Sequence, residues 1–253
     1  MKGLFATVFC LFSAAAAIPA TTPLEQTHEA DPVRILPYRW QWEMLKFHGP
    51  GCPDFGSNAS YATRPTYGQN TMDGSEIYLW YFAYPGIKAK IGPGVDESET
   101  YTWCHTELKY TENDNTYNQE PTANYRLRAH KNGTSIMANY QLDKGVTAEW
   151  KFTYYPEDAD EVVDEIVIHG PLNNRNSSTL SWFTENSPKP YPKWNLPSCG
   201  GGTIRYKTEL TITSKTSEGK GTVNSDITDA QSGGTREYGV QQGVSYDWEH
   251  CKK

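Results

Sequence analysis

Five cysteines are the residues whose chemistry is easiest to judge from their positions in this chain. Cys10 lies in an apolar N-terminal segment. The other four are widely spaced in a polar, turn-rich body and form no CxxC unit: Cys52, Cys104, Cys199 and Cys251. An even set of separated thiols favours structural disulfides in an oxidising compartment over zinc or redox chemistry. His105 and His250 each adjoin a cysteine, but neighbouring strand side chains point to opposite faces, which disfavours a cysteine nucleophile.

Four cysteines allow three disulfide pairings. We expect Cys52 to bond Cys104 and Cys199 to bond Cys251, because each lies at the start or end of a predicted strand. Pairing in sequence order also avoids crossed connections. Each bridge closes a loop of 52 positions, for which the chain-entropy model gives about 4 kcal/mol of stabilisation.

Two glutamates in similar contexts are the best candidates for catalysis. Glu107 lies in HTELKY and Glu209 in KTELTIT. Two carboxyl groups about 5 Å apart would suit a retaining glycosidase, and a wider pair an inverting one. However, both alternate with leucines, which is typical of solvent-facing strand residues. A carbohydrate-active hydrolase or lyase using this pair is therefore the alternative function, and no GxSxG motif indicates serine chemistry.

Metal and cofactor sites are not indicated by the sequence. The six histidines show no HxH, HxxxH or HExxH spacing. The acidic run PEDADEVVDE lacks the glycine-containing alternation of a calcium-binding loop and is typical of a solvated turn. We therefore expect no metal and no cofactor.

Aromatic residues make up 13% of the chain. Trp182, Tyr191 and Trp194 flank the proline-rich stretch NSPKPYPKWNLPS, where an exposed ring could stack against a sugar. These three are the candidate sugar-binding residues. Core packing is the competing explanation for aromatic residues, and it accounts for Trp80, Trp150 and Trp248, whose neighbours alternate as in strands.

The N-terminus predicts export. Lys2 precedes an apolar run over residues 4–17, and AAAAIPA supplies the small residues of a cleavage site after Ala17 or Ala20. The run is shorter than the roughly 20 residues that span a bilayer. We predict a signal peptide at residues 1–20, a flexible lead at 21–32, one domain at 33–253, and a secreted, extracellular protein without membrane attachment.

Charge and glycosylation motifs agree with that prediction. Removing residues 1–20 takes away one lysine and no acidic residue, so 22 basic residues face 30 acidic ones and the formal charge becomes −8. Such a surface repels phosphate backbones, which excludes nucleic acid as a partner. Three acceptor sequences for N-glycans lie in stretches expected to form turns: Asn58, Asn132 and Asn176.

The hydrophobic pattern has a period of two along most of the chain. EIYLWYFAYP predicts a central strand, because apolar and aromatic residues occupy both of its faces. About ten short strands follow one another, HKNGTS predicts a hairpin turn, and no stretch shows a helical stripe. These features predict an all-β fold, an antiparallel β-sandwich of jelly-roll type stapled by two disulfides, with a closed barrel as the alternative.

Four motifs carry a family resemblance. GPGCPDFGS, AKIGPGVDESETYTWC, LPSCGGGTIRYKTELTI and the final VNSDITDA with YDWEHC resemble successive signatures of the fungal secreted family called domain of unknown function 4360. The resemblance spans nearly the whole mature chain and maps the four cysteines of the family onto those of this chain. Two stretches look like insertions relative to the family pattern: TENDNTYNQEPTANY and NSPKPYPKWN. The resemblance implies secretion and a β fold but no activity.

These observations favour a secreted, non-catalytic, monomeric protein that acts at the cell wall or host surface by binding. Its expected partner is a cell-wall polysaccharide or an extracellular protein. A purely structural wall component would contain repeats or low-complexity Ser/Thr tracts, and neither is present.

Overall fold

Alternation of apolar and polar residues builds two antiparallel sheets in this protein. The computed structural model describes residues 39–52, 63–70, 76–84, 86–113, 121–180, 194–224, 226–229 and 235–251. The predicted signal peptide and lead, and Asn58, lie outside the described residues. No helix in the described ranges is long and apolar enough to cross a bilayer.

Sheet A, as we name it, contains five strands. In spatial order they are β1 (Arg39–His48), β5 (Tyr101–Asn113), β11 (Gly201–Ser214), β7 (Val146–Tyr154) and β8 (Val162–His169).

Sheet B contains the other nine strands of the described residues. Its main path runs through β2 (Thr63–Asn70), β3 (Glu76–Tyr84), β14 (Thr235–His250), β6 (Tyr125–Leu142), β12 (Gly221–Asn224) and β4 (Ala89–Ile91). Two further strands pair with β6 and one with β14, in the order β9 (Leu172–Leu180), β10 (Trp194–Asn195) and β13 (Asp226–Asp229). A short 3-10 helix, Glu97–Thr100, precedes β5.

The chain passes repeatedly from one sheet to the other, from β4 to β5, β6 and β7, and again from β10 to β11 and β12. The two sheets pack face to face through their buried side chains. This arrangement confirms the predicted sandwich of jelly-roll type. The predicted central strand is confirmed as well, since β3 pairs with both β2 and β14.

Buried aromatic rings fill the space between the sheets. Most of the largest fully buried side chains are aromatic: Trp150, Tyr84, Tyr110, Tyr140, Tyr154, Tyr206, Tyr246, Phe82 and Phe152. Their polar atoms bond across the core: Trp150 Nε1 donates to the Tyr140 hydroxyl at 2.9 Å, and Trp248 Nε1 donates to the Tyr110 hydroxyl at 2.8 Å. Buried tyrosine is compatible with this core where its hydroxyl has a partner, as those of Tyr140 and Tyr110 do.

Both predicted disulfides are confirmed. Cys52 bonds Cys104 with a Cα–Cα distance of 5.6 Å, and Cys199 bonds Cys251 at 6.2 Å. The first ties the segment after β1 to the inner face of β5. The second ties the segment before β11 to the residue that follows β14.

The predicted hairpin at HKNGTS is wrong. β6 continues through this stretch, and both of its halves pair with β14, with Ala129 opposite Tyr246 and Thr134 opposite Val244. The residues between form a bulge in which Gly133 has a φ of 75°. Positive φ at Asn-Gly suits a hairpin turn or a bulge, so the partner strand decides between them. Asn132 thus lies in a bulged strand rather than a turn.

The turn expected around Asn176 is also a strand. Asn176 lies in β9, at an irregularity where the register of β9 against β6 shifts. Glycosylation at the three acceptor sequences stays a prediction.

Candidate functional site

The outer face of sheet A carries a row of rings that we call the aromatic strip, consisting of His48, Trp103, His105 and Tyr155. The ring centroid of Trp103 lies 5.6 Å from that of His48 and 5.2 Å from that of His105. The His105 ring stacks on Tyr155 at 6.3 Å. The three strand residues come from β1 and β5, and Tyr155 directly follows β7. The strip therefore runs across sheet A from β1 to the end of β7.

Strand alternation places these rings outside. In β5 the even-numbered positions point inward and are buried, including Cys104 and Leu108 at 0% exposure. The odd-numbered positions from Tyr101 to Thr111 are exposed or partly exposed, so Trp103 and His105 share a surface. His48 lies directly opposite His105 in the register of β1 and β5. The predicted division between Cys104 and His105 is thus confirmed.

The loop at residues 49–52 holds Trp103 in place. The Gly51 amide donates to the Trp103 carbonyl at 2.9 Å, and Cys52 is bonded to Cys104. Gly49 has a φ of 140°, and a Cβ there would lie 2.5 Å from the Trp103 carbonyl oxygen and 2.7 Å from its ring. Only glycine fits this approach. The glycines around the first cysteine therefore support the ring.

Charged side chains frame the strip in matched pairs. Lys207 Nζ lies 2.6 Å from Glu209 Oε1 and 5.4 Å from the Trp103 ring centroid. The Tyr101 hydroxyl donates to the same Glu209 oxygen at 2.5 Å. These contacts hold the lysine over the tryptophan ring, a cation–π geometry.

Arg205 forms a second matched group. Its Nε lies 3.3 Å from Glu107 Oε1, and its Nη1 lies 3.5 Å from Glu157 Oε1. Together with the lysine pair, it places hydrogen-bond donors and acceptors beside the rings. Such a frame can hydrogen-bond a polar ligand without carrying a large net charge.

Local electrostatics favour the charged forms of Lys207 and Glu209 and the neutral form of His105. Burial opposes ionisation of Glu209, but hydrogen bonds from Lys207 and Tyr101 outweigh it, so the pKa of Glu209 is lowered. Burial likewise opposes charging of Lys207, but hydrogen bonds with Glu209 and Tyr101 raise its pKa. Burial and the charge of Lys207 lower the pKa of His105. At neutral pH His105 is therefore an uncharged ring beside the ion pair of Lys207 and Glu209.

Trp194 is not part of an exposed platform, and this expectation was wrong. It is 7% exposed, lies in β10 against β6, and its ring packs on Tyr154 with centroids 5.2 Å apart. Burial of this apolar ring between the sheets makes it core. Trp182 and Tyr191 lie outside the described residues.

Glu107 and Glu209 are not brought together as a catalytic pair. In the antiparallel register of β5 and β11, Glu107 lies opposite Arg205, and Glu209 lies opposite Trp103. The two glutamates are thus four positions apart along the sheet, which corresponds to about 14 Å between their Cα atoms. Each carboxylate bonds a neighbouring cation, Glu107 with Arg205 and Glu209 with Lys207, so the two belong to separate ion pairs.

The aromatic strip was not among the sites predicted from the sequence. Its signal was present in TYTWCHTE, where a buried Cys104 fixes the phase of the strand and turns Trp103 and His105 outward. Tyr155 and His48 join them only through strand pairing. Among the described residues no group of three or more His, Cys, Asp and Glu side chains is placed to hold a metal ion.

Comparisons with known proteins do not identify the chain. No protein-family model matches it, so the family resemblance carried by the cysteine motifs stays a prediction. No curated protein matches it. A solved structure described as TmCBM61 in complex with beta-1,4-galactotriose matches at 9% identity, covering 85% of this chain and 90% of that chain, with a TM-score of 0.18. A TM-score this low indicates neither a common fold nor a common ligand.

Proposed function

We propose that this protein is a non-catalytic binding protein that recognises a neutral glycan through the aromatic strip. The observation that carries the proposal is the outward-facing row of His48, Trp103, His105 and Tyr155 beside paired charged groups. Flat rings stack on the apolar faces of sugar rings, and neighbouring carboxylates, amines and hydroxyls bond the sugar hydroxyls.

The charge of the frame favours a neutral ligand. Lys207 is matched by Glu209, and Arg205 by Glu107 and Glu157. A site for an acidic polysaccharide would hold cations in excess, whereas in these ion pairs three carboxylates face two cations. The net charge of the chain, −7 before any processing, would also repel a polyanion.

Binding is favoured over catalysis by the separation of the two glutamates. A hydrolase using Glu107 and Glu209 would need both carboxyl groups on one glycosidic bond. Their Cα atoms are about 14 Å apart in the register of β5 and β11, and each carboxylate is engaged in a different ion pair. The alternative function therefore has no support from this pair.

The proposed place of action is extracellular, at the cell wall or at a host surface. Two disulfides suit an oxidising compartment. The N-terminal apolar run predicts export, and the family resemblance implies a secreted fungal protein. A cell-wall polysaccharide is accordingly the partner class that fits both the location and the aromatic strip.

Retention on insoluble β-1,3-glucan and on chitin tests the proposal. Trp103→Ala removes the central ring and should weaken retention by about 1 to 3 kcal/mol, since stacking residues are typical binding hot spots. Tyr125→Ala is the matched control, because this half-buried aromatic ring contacts the ring of His250 in the other sheet. Equal retention of Trp103→Ala and the unmodified protein, or no retention on either polymer, would contradict the proposal.

The same incubation distinguishes binding from hydrolysis. We expect no soluble oligosaccharide to be released from either polymer. Release that is abolished by Glu209→Gln, with retention unchanged, would show that the protein is an enzyme.

A further inference from the structure

A groove opens beside the aromatic strip, at the edge formed by β4, β12 and the 3-10 helix Glu97–Thr100. Its volume is about 280 Å³, close to the lower end of the range for small-molecule sites. Ala89 and Val223, which are 4% and 1% exposed, form part of its lining. The groove therefore combines an apolar floor with an open side.

Tyr101 connects the groove to the strip. It lines the groove and is 41% exposed. Its hydroxyl donates a hydrogen bond to Glu209, which pairs with Lys207 above the Trp103 ring. Tyr101 and Trp103 are also two residues apart on the same face of β5, which places their Cα atoms about 7 Å apart. A ligand lying on Trp103 would thus extend across Tyr101 without leaving the surface.

The loop that supports Trp103 borders the groove too. Pro50 lines the groove and lies between Gly49, which the Trp103 ring covers, and Gly51, which bonds the Trp103 carbonyl. One rigid segment, fixed by the Cys52–Cys104 disulfide, therefore positions both the strip and one wall of the groove.

Polar side chains line the remaining walls. They include Ser98 and Thr222, which supply hydroxyl groups, and the ion pair of Lys90 and Glu99 with a distance of 2.7 Å. Together with the apolar floor, these groups offer a sugar unit both stacking surface and hydrogen-bond partners, as on the strip.

We propose that this groove is a second subsite, which takes a further sugar unit of the same neutral glycan chain that lies on the aromatic strip. This inference rests on the proposed function. It identifies the ligand class as an extended oligosaccharide or an internal segment of a polysaccharide, rather than a monosaccharide or a short chain end.

Dependence of affinity on chain length tests the second subsite. The probes are β-1,3-glucan and chitin oligosaccharides from disaccharide to hexasaccharide, titrated calorimetrically into the full secreted protein. For the unmodified protein we expect affinity to rise about tenfold or more as the chain becomes long enough to enter the groove, an added 1.4 kcal/mol.

A double variant, Ser98→Leu with Thr222→Leu, fills the groove from two walls. Both side chains are exposed, so the fold should tolerate the change. We expect it to bind the disaccharide as the unmodified protein does and to lose the gain with chain length. Thr203→Leu is the control, because Thr203 lies eight positions along β11 from Thr211, the residue opposite Tyr101.

The outcomes separate the two proposals. An equal gain with chain length in the double variant and the unmodified protein, while Trp103→Ala loses binding of every chain, would overturn the second subsite alone. Binding of none of the probes by the unmodified protein would overturn the glycan-binding function and the second subsite with it.

Discussion

The two ends of β5 use similar parts for different purposes. At the Trp103 end, a glycine-flanked cysteine, Cys52, bonds Cys104 and supports rings that face solvent. At the other end, Cys199 is followed by glycine and bonds Cys251, and the nearby carboxylate of Glu112 is only 1% exposed. The Cys52–Cys104 loop therefore supports the aromatic strip, whereas the Cys199–Cys251 bridge joins the segment before β11 to the residue after β14 and so closes this end of the sandwich.

The carboxylates at the two ends show the difference most clearly. Glu112 accepts hydrogen bonds from the Thr122 hydroxyl at 2.5 Å and from the backbone amides of Asn124 and Tyr125 at 3.2 and 2.9 Å. Glu209 instead bonds the side chains of Lys207 and Tyr101. A carboxylate held by backbone amides fixes the chain, whereas one held by surface side chains can rearrange its bonds around a ligand.

The largest expected effect sharpens the contrast between two tryptophans. Trp194→Ala should lower the free energy of unfolding by about 3 to 5 kcal/mol, because it empties a buried site beside Tyr154. Trp103→Ala should change it far less, since this ring is partly exposed. Chemical denaturation measures both. The reverse ranking would mean that the strip is core.

Polysaccharide retention should rank the same two variants in the opposite order. At temperatures where both are folded, Trp194→Ala should be retained like the unmodified protein and Trp103→Ala should not. Loss of retention in folded Trp194→Ala would place the binding surface elsewhere.

The disulfides provide the next comparison. Each closes a loop of 52 positions, so replacing either pair by serine should lower the free energy of unfolding by about 2 to 5 kcal/mol. Removing Cys52–Cys104 should also weaken glycan retention, because the bridge supports the segment beneath Trp103. Removing Cys199–Cys251 should not. Thermal unfolding and retention at low temperature separate the two effects, and equal loss of retention in both variants would contradict the assigned roles.

A smaller effect concerns pH. Burial and Lys207 lower the pKa of His105 from 6.5, with a further contribution from His48. The unfolded chain then takes up a proton at His105 before the folded protein does. Stability from this site is thus complete above about pH 6.5 and is lost as pH falls through the lower folded pKa.

His105→Gln should consequently flatten the dependence of melting temperature on pH just below 6.5. Glu209→Gln is the comparison. Because the pKa of Glu209 is lowered, its ionised carboxylate stabilises the folded state, and this stabilisation is lost only as pH falls below the ordinary value of 4.5. An unchanged slope below 6.5 in His105→Gln would show that His105 does not govern this range.

The sequence predicts the scaffold because its signals are local. The period-two pattern of TYTWCHTELKY indicates a strand and separates Cys104 from His105. Widely spaced cysteines and their order predict both disulfides. These inferences need only the geometry of one strand, the predicted strand ends and the order of the cysteines along the chain.

The site depends on pairing that the sequence does not specify. The separation of Glu107 from Glu209 is set by the antiparallel register of β5 against β11. Trp194 lies in a strand of two residues, which is too short to show a hydrophobic periodicity in the sequence. His48 reaches the strip because the end of β1 lies opposite His105. Each of these contacts joins residues distant in sequence, which single-strand patterns do not encode.

Mapping a bound glycan by nuclear magnetic resonance tests the central claim most directly. The protein is titrated with the neutral hexasaccharides of β-1,3-glucan and of chitin while backbone amide signals are followed. We predict that the signals of residues 101–107 and 205–209 shift with a common saturation curve, while those of residues 122–125 and 199–200 at the closed end stay in place. Shifts confined to the closed end, or none with either hexasaccharide, would contradict the assignment of glycan binding to the aromatic strip.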